Sequence, residues 1–232
     1  MTPEMAFQCF VVSRDLALLC TMEPILRDFS ICTDVCRDPS KVVNLLEQVR
    51  TDLLVIDLEA ESSTELLRQV NETHMRQKPT ILAVSRMDRV VRGVHVVLRK
   101  PVTPESGLTS LKVAYSRMLE DFRTHTRFAL MTSVLATDEN NRTFSLIVTN
   151  VGEGGVGLAT KENVAIGSIL SFLLPLPGLK SEIYIQARVL WRREHGASGC
   201  EFVLTSPFDA QLLRAWLESR YRIKKPLIPV EC

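Results

Sequence analysis

The chain has 232 residues, 46% of them hydrophobic and 24% charged, and a formal net charge of +1. This balance excludes a disordered chain and provides enough apolar surface for one large or two small cores. It also excludes a global field drawing the chain to nucleic acid or a membrane surface, so any anion site must be local.

In the first half, the apolar run at residues 7–12, closed by Ser13-Arg14-Asp15, predicts a buried strand. Leu16, Leu19 and Cys20 follow at helical spacing, and Pro24 predicts that this helix kinks or ends there. Residues 29–35 predict a second strand. Asp38 is a good N-cap with Pro39 at the first helical position, and Val42, Leu45, Leu46 and Val49 form the apolar stripe of the helix that follows. Residues 53–58 (LLVIDL) predict a buried strand with Asp57 near its C-terminal edge. Leu66, Leu67 and Val70 mark a helix, residues 79–84 a strand followed by Ser85, and residues 94–98 a strand followed by Arg99-Lys100-Pro101. The short span from Ser85 to Lys100 predicts a stunted helix between those strands. Leu108, Leu111, Tyr115, Met118, Leu119 and Phe122 line a last helix that runs on to Arg123.

Strands alternating with helices predict a parallel sheet covered on both faces, with ligands at the carboxyl ends of its strands. Asp57, Ser85 and Lys100 all fall at such ends.

From Phe128 the pattern changes. Residues 143–149 and 181–191 alternate apolar and polar, with Ile183, Ile185, Ala187, Val189 and Trp191 on one face of the second. Further strands are predicted at 128–135, 155–159, 169–174 and 199–204, which suggests a small antiparallel barrel. A closing helix follows. Ser206 caps it, Pro207 opens its first turn, Asp209 completes a box-like cap, and Phe208, Leu212, Leu213, Trp216 and Leu217 are expected to face the barrel. The basic residues after it read as a solvated end.

Several chemistries find no support. The six cysteines (Cys9, Cys20, Cys32, Cys36, Cys200, Cys232) form no CxxC, and His74, His95, His125 and His195 have no ligand spacing, so no metal site is expected. No signal peptide and no spanning segment are read, which predicts a cytoplasmic protein with reduced thiols. Gly152, Gly154 and Gly157 match GxGxxG, but a dinucleotide site needs a helix after that pattern, and residues 158–167 carry no helical stripe. No triad or paired-carboxylate arrangement stands out, so no enzyme is expected.

The first half resembles the receiver domain of response regulators over about residues 6–121. The LLVIDL strand carries Asp57 at the phosphoacceptor place, Ser85 stands at the Thr/Ser place, and Lys100-Pro101 follows the last strand. Receivers hold magnesium with an acidic pair after the first strand. Here those places read Ser13 and Arg14, so the resemblance implies a pseudo-receiver in which Asp57, Ser85 and Lys100 are a vestigial site and Arg14 could pair with Asp57.

The second half resembles the PilZ domain, a six-stranded barrel that commonly binds the bacterial second messenger cyclic di-GMP. Arg123 and Arg127 match its RxxxR pair, and Asn150 and Gly155 match its [D/N]xSxxG turn, with Gly152 where the family carries serine. The VLW strand at Val189–Trp191, the GCEF strand at Gly199–Phe202 and the closing helix also fit. The resemblance implies a cyclic di-GMP site of Arg123, Arg127, Asn150, Gly152 and Gly155. Guanidinium forks pair with phosphate and with the guanine N7/O6 edge. Asn150 can donate and accept towards a base edge, and the glycines admit close backbone approach.

The expected architecture is a receiver-like domain at 1–121 and a PilZ barrel at 122–232. The expected function is a bacterial signalling adaptor that senses cyclic di-GMP and acts through domain arrangement or a protein partner, without nucleic acid, cofactor or membrane insertion. Two alternatives stay open at this point: a ligand-free interaction module, and a response regulator phosphorylated at Asp57.

Overall fold

The computed structural model describes residues 5–73, 78–87 and 91–228; His74 and Cys232 lie outside them. The chain divides into two compact units, one formed by residues up to Glu120 with the tail from Arg222, the other by Asp121–Tyr221. The tail is therefore reassigned from the second domain to the first unit. Its backbone finds partners there: Met5 N donates to Arg222 O (2.8 Å), Lys224 N to Met5 O (2.9 Å) and Leu227 N to Asp28 O (2.6 Å). Ser30 Oγ donates to Lys225 O at 2.8 Å.

The first unit is a five-stranded parallel sheet of β1 (Gln8–Val12), β2 (Cys32–Cys36), β3 (Leu53–Asp57), β4 (Thr80–Ser85) and β5 (Val96–Arg99), in the order β2-β1-β3-β4-β5. Its helices are α1 (Leu16–Asp28), α2 (Val42–Gln48), α3 (Ser63–Glu72) and, up to Glu120, α4 (Pro104–His125). Every residue of β3 and β4 is buried, which explains why both read as unbroken apolar runs. This strand order reverses direction between β1 and β3, and that switch point opens a crevice at the strand ends.

Local departures have local causes. Helix α1 runs through Pro24 to Asp28, because its buried face is Leu18, Met22, Ile25 and Leu26 while Leu16 and Cys20 are exposed. Pro24 is exposed as well, so the carbonyl freed by its missing N–H can turn to water. Between β4 and β5 the described residues contain no helix.

The second unit is a closed barrel of β6 (Phe128–Asp138), β7 (Thr143–Gly152), β8 (Gly155–Ala159), β9 (Ile169–Leu174), β10 (Ile183–Arg192) and β11 (Ala197–Leu204), in the order β10-β11-β8-β7-β6-β9. Closure removes the unpaired edges that an open sheet of this kind would present. Val134, Leu146, Val148, Phe172, Ile185 and Val189 are among the side chains that fill it. Helix α5 (Pro207–Glu218) buries Leu213, Trp216 and Leu217, and the Ser206 hydroxyl accepts from Asp209 N as its N-cap. Two residues expected to face inward do not. Phe208, in the first turn, is 66% exposed, and Trp191 is 46% exposed because a bulge between Val189 and Trp191 shifts the register of β10.

Candidate functional site

The crevice of the first unit is built where β1 meets β3. Val12 lies opposite Ile56, so Ser13 stands level with the buried Asp57. Ser13 Oγ donates to Asp57 Oδ2 (3.0 Å) and accepts from Asp15 N (3.0 Å). Lys100 Nζ donates to Asp57 Oδ2 at 2.9 Å and to Asp15 Oδ2 at 3.1 Å. Glu59 N donates to Asp57 Oδ1 at 3.1 Å. The hydrogen bond from Lys100 is the main cause holding the Asp15 carboxyl below its ordinary range. Burial works against the Lys100 ammonium, but its bonds to Asp57 and Asp15 outweigh it and raise that group.

Asp57 and Lys100 are thus brought together, and Ser85 is not part of the pair. Its hydroxyl lies 3.5 Å from Glu59 Oε1 and accepts from Met87 N at 3.1 Å. Arg14 does not pair with Asp57 either; its Nε donates to Arg37 O at 2.9 Å. These residues do not fit the divalent cation of a receiver. The one carboxylate added by the chain after β1, Asp15, caps α1 through Ala17 N and Leu18 N, and its other oxygen faces an ammonium already seated between it and Asp57. Among the described residues no three His, Cys, Asp or Glu side chains form a group that could hold a metal.

In the second unit, register positions the site. Phe128 on β6 lies opposite Val151 on β7, so Arg127, one residue earlier, falls opposite Gly152, one residue later. The Arg127 side chain lies against Gly152: a Cβ there would meet its Nη1 and would stand 2.8 Å from its Cδ. Arg127 Nη1 also donates to Thr124 O at 3.3 Å, satisfying a carbonyl in the last turn of α4. Arg123 sits in that same turn, with its Nη2 3.8 Å from Glu218 Oε1 on α5. Gly152 pairs with Gly155 across the two-residue turn Glu153-Gly154, and Phe202 N donates to Gly154 O at 3.0 Å. A Cβ on Gly155 would strike the Cys200 carbonyl, so β8 and β11 can approach only with glycine there. Asn150 lies opposite Gly157, and its Nδ2 donates to Thr149 Oγ1 at 3.2 Å.

An aromatic floor adjoins the arginines. Tyr221 packs on Phe122 and Phe128 with ring centroids 5.3 and 5.5 Å away, and Phe128 meets Trp216 at 6.2 Å. Arg220 lies 3.7 Å over Trp216. Burial, then the neighbouring Glu153 carboxylate, pushes the Tyr221 phenol up to about 12 against the opposing pull of Arg123 and Arg127.

The model of the PilZ domain family matches residues 121–219. Those residues are a PilZ domain. The match covers the RxxxR pair, the glycine turn, the barrel and all of α5. Among solved structures, the chain is similar to a CheY-like response regulator receiver domain from Methylobacillus flagellatus, with 18% identity, 49% of this chain and 99% of that chain covered, and a TM-score of 0.43. It is also similar to the PilZ domain of CeSA from a cellulose synthesizing bacterium, with 15% identity, 40% and 98% covered, and a TM-score of 0.33. The Borreliella burgdorferi PlzA protein in complex with c-di-GMP matches at 14% identity over 50% of each chain, with a TM-score of 0.34. At these identities the likeness is one of fold. No curated protein matches the chain. No enzyme family is indicated, and no described helix is long and apolar enough to cross a membrane.

The PilZ domain joins residues that the sequence pattern brackets separately: Arg127 touches the turn at Gly152, while Arg123 turns towards α5. The sequence pattern does not mark Glu153, Glu218 and Tyr221 around the arginines or Asp15 and Glu59 around Asp57, and it marks Ser13 only as a replaced metal-ligand place. Ser13 had a legible signal, since the residue after β1 must stand beside the end of the neighbouring β3. Tyr221 had none, because only packing brings the chain beyond α5 back onto Phe122 and Phe128.

Proposed function

We propose that this chain is a signalling adaptor whose PilZ domain binds cyclic di-GMP, with Arg123 and Arg127 on its phosphates and guanine edges and with Asn150, Gly152 and Gly155 shaping the turn beside them. The observation that carries the reading is the contact of Arg127 with Gly152, which joins the RxxxR segment to the glycine turn within a domain of this family. Two guanidinium groups beside a turn that exposes backbone suit a ligand with two phosphates and two guanines. PlzA, a structural neighbour, was solved with c-di-GMP, and the same ligand is the first to try here. Titration calorimetry on the full chain tests it. Binding that disappears in Arg123→Ala/Arg127→Ala supports the reading. No heat, together with an unchanged melting temperature at high ligand, overturns it.

For the receiver-like unit we favour a phosphate-independent role, as a fixed interaction module. Lys100 already pairs with both Asp57 and Asp15, and phosphoryl transfer to Asp57 would require further positive charge that these residues give no metal a place to supply. Incubation with a small phosphodonor should leave the intact mass unchanged. A phosphoryl adduct on Asp57 would reverse this part of the reading.

A further inference from the structure

Two buried polar atoms beside the arginine pair have no hydrogen-bond partner: Glu153 Oε1 and the Tyr221 hydroxyl. Arg214 Nε stands 4.0 Å from that same carboxylate oxygen, close enough for charge attraction and too far for a hydrogen bond. Buried polar groups are nearly always paired, so an orphan calls for an explanation, a ligand being one; of the orphans in this barrel, Ser198 Oγ being another, these two stand together beside the arginines. Here the orphans are complementary to each other in kind. One is an acceptor and the other can donate; the Glu153 carboxylate acts on the Tyr221 phenol, and that phenol also lies in the field of Arg123 and Arg127.

We propose that Glu153 and Tyr221 are the base-specificity residues of this site, reading the Watson–Crick edge of a guanine. The Glu153 carboxylate accepts from the N1–H and N2 amine, and the Tyr221 hydroxyl donates to O6. Guanine presents one acceptor and two donors along that edge, which this pair matches. Adenine presents an amine and a bare ring nitrogen, so it would meet the carboxylate with an acceptor and leave it unpaired, although the phenol oxygen can accept from the amine. A site whose polar groups are left unpaired by the wrong ligand discriminates strongly. Glu153 is placed for this by its turn: it is the first residue of the two-residue connection between Gly152 and Gly155, whose pairing fixes the turn, and Phe202 N anchors Gly154 O. Tyr221 is placed by its ring contacts with Phe122 and Phe128.

This inference rests on the cyclic dinucleotide reading above, and its test separates the two. Calorimetry on the full chain would compare cyclic di-GMP, cyclic di-IMP (which lacks the N2 amine) and cyclic di-AMP. The wild type should bind them in that order of decreasing affinity. Glu153→Gln should weaken cyclic di-GMP by about tenfold or more, the usual effect of losing a charge-assisted hydrogen bond, and should weaken cyclic di-IMP less. Tyr221→Phe should weaken cyclic di-GMP and cyclic di-IMP equally, since both keep O6. Thermal midpoints matching the wild type establish that each variant is folded; if Glu153→Gln unfolds, Tyr221→Phe and the wild-type ligand order carry the test. Wild-type binding that needs Arg123 and Arg127 but does not change in Glu153→Gln or Tyr221→Phe overturns this inference alone, as does equal wild-type affinity for cyclic di-AMP. A wild type that binds none of the three overturns it together with the reading beneath it.

Discussion

The guanidinium of Arg127 lies across the α-carbon of Gly152, in space that any side chain at 152 would claim. On the sequence alone, glycine at this turn reads only as a replacement of the serine that the family carries. In the fold it is also the seat of an arginine. A Cβ at 152 would stand 2.7 Å from Thr126 O as well, and a backbone carbonyl at the entry to β6 cannot swing aside as a side chain can. Gly152→Ser should therefore destabilise the protein by about 1–3 kcal/mol, the common cost of overpacking. The measurement is the urea midpoint at unchanged m-value. A midpoint equal to that of the wild type would mean that Arg127 leaves its seat freely.

Lys100 is the only cation hydrogen-bonded to Asp57 among the described residues, and both side chains are largely withdrawn from water. Lys100→Met leaves a buried carboxylate with a hydroxyl and one amide as its partners. The expected loss is about 3–5 kcal/mol, as for other buried pairs broken from one side. Asp57→Asn in the same background should recover much of it, because the uncompensated charge is then gone. A single variant as stable as the wild type would contradict the pairing.

The Asp15 carboxyl titrates below its ordinary range in the folded chain, chiefly through the hydrogen bond from Lys100 and further through its capping bond from Leu18 N. A depressed folded value binds fewer protons than the unfolded chain, so its stabilisation is complete above the unfolded value of about 3.9 and is lost as pH falls through the lower, folded one. Lys100 shifts upward, so its contribution is complete below about 10.4 and is lost only at higher pH. Asp15→Asn keeps a good N-cap and removes the titrating charge. Its unfolding free energy should fall less steeply than that of the wild type as pH drops through the carboxylate range, measured by urea unfolding at a series of acid pH values. Parallel curves would show that Asp15 is not a source of the acid sensitivity.

Helix α5 begins on the Ser206 hydroxyl, which accepts from Asp209 N at 3.0 Å and donates to the Asp209 carboxylate at 2.9 Å. Ser206→Ala should cost about 1 kcal/mol. Ser206→Asp should restore less than a bare N-cap scale suggests, since it sets a second carboxylate against Asp209. Thermal unfolding of the two variants against wild type separates the cap from the charge.

Most of the fold was legible because apolar period is a local property. The six barrel strands, the buried LLVIDL strand and the capped start of α5 all follow from alternation, continuous burial or a Ser-Pro entry. Local pattern misleads where it meets a distant constraint. Trp191 continues the inward alternation of Ile183 to Val189, yet the bulge that pairs β10 with β11 turns it outward. Leu16 and Cys20 have helical spacing, but the sheet selects the neighbouring stripe through Leu18, Met22, Ile25 and Leu26. Pro24 marks a helix end by propensity and lies mid-helix in the structure, where the exposed side of α1 tolerates the missing bond.

The candidate sites divide in the same way. By itself the sequence determined the two fold classes, the presence of Arg123 and Arg127 four residues apart, the glycine turn some twenty residues on, and Ser13 and Arg14 in the places of a receiver's acidic pair. Only the tertiary structure decided what these residues meet. Ser13 and Asp57 are 44 positions apart, Asp15 and Lys100 are 85, and Ser30 reaches Lys225 across 195. Periodicity states which face of an element is buried. Which side chain stands opposite depends on strand order and register, and those are set by the packing of the whole sheet or barrel. That is why Arg127 rests on Gly152, and why Lys100 stands between two carboxylates.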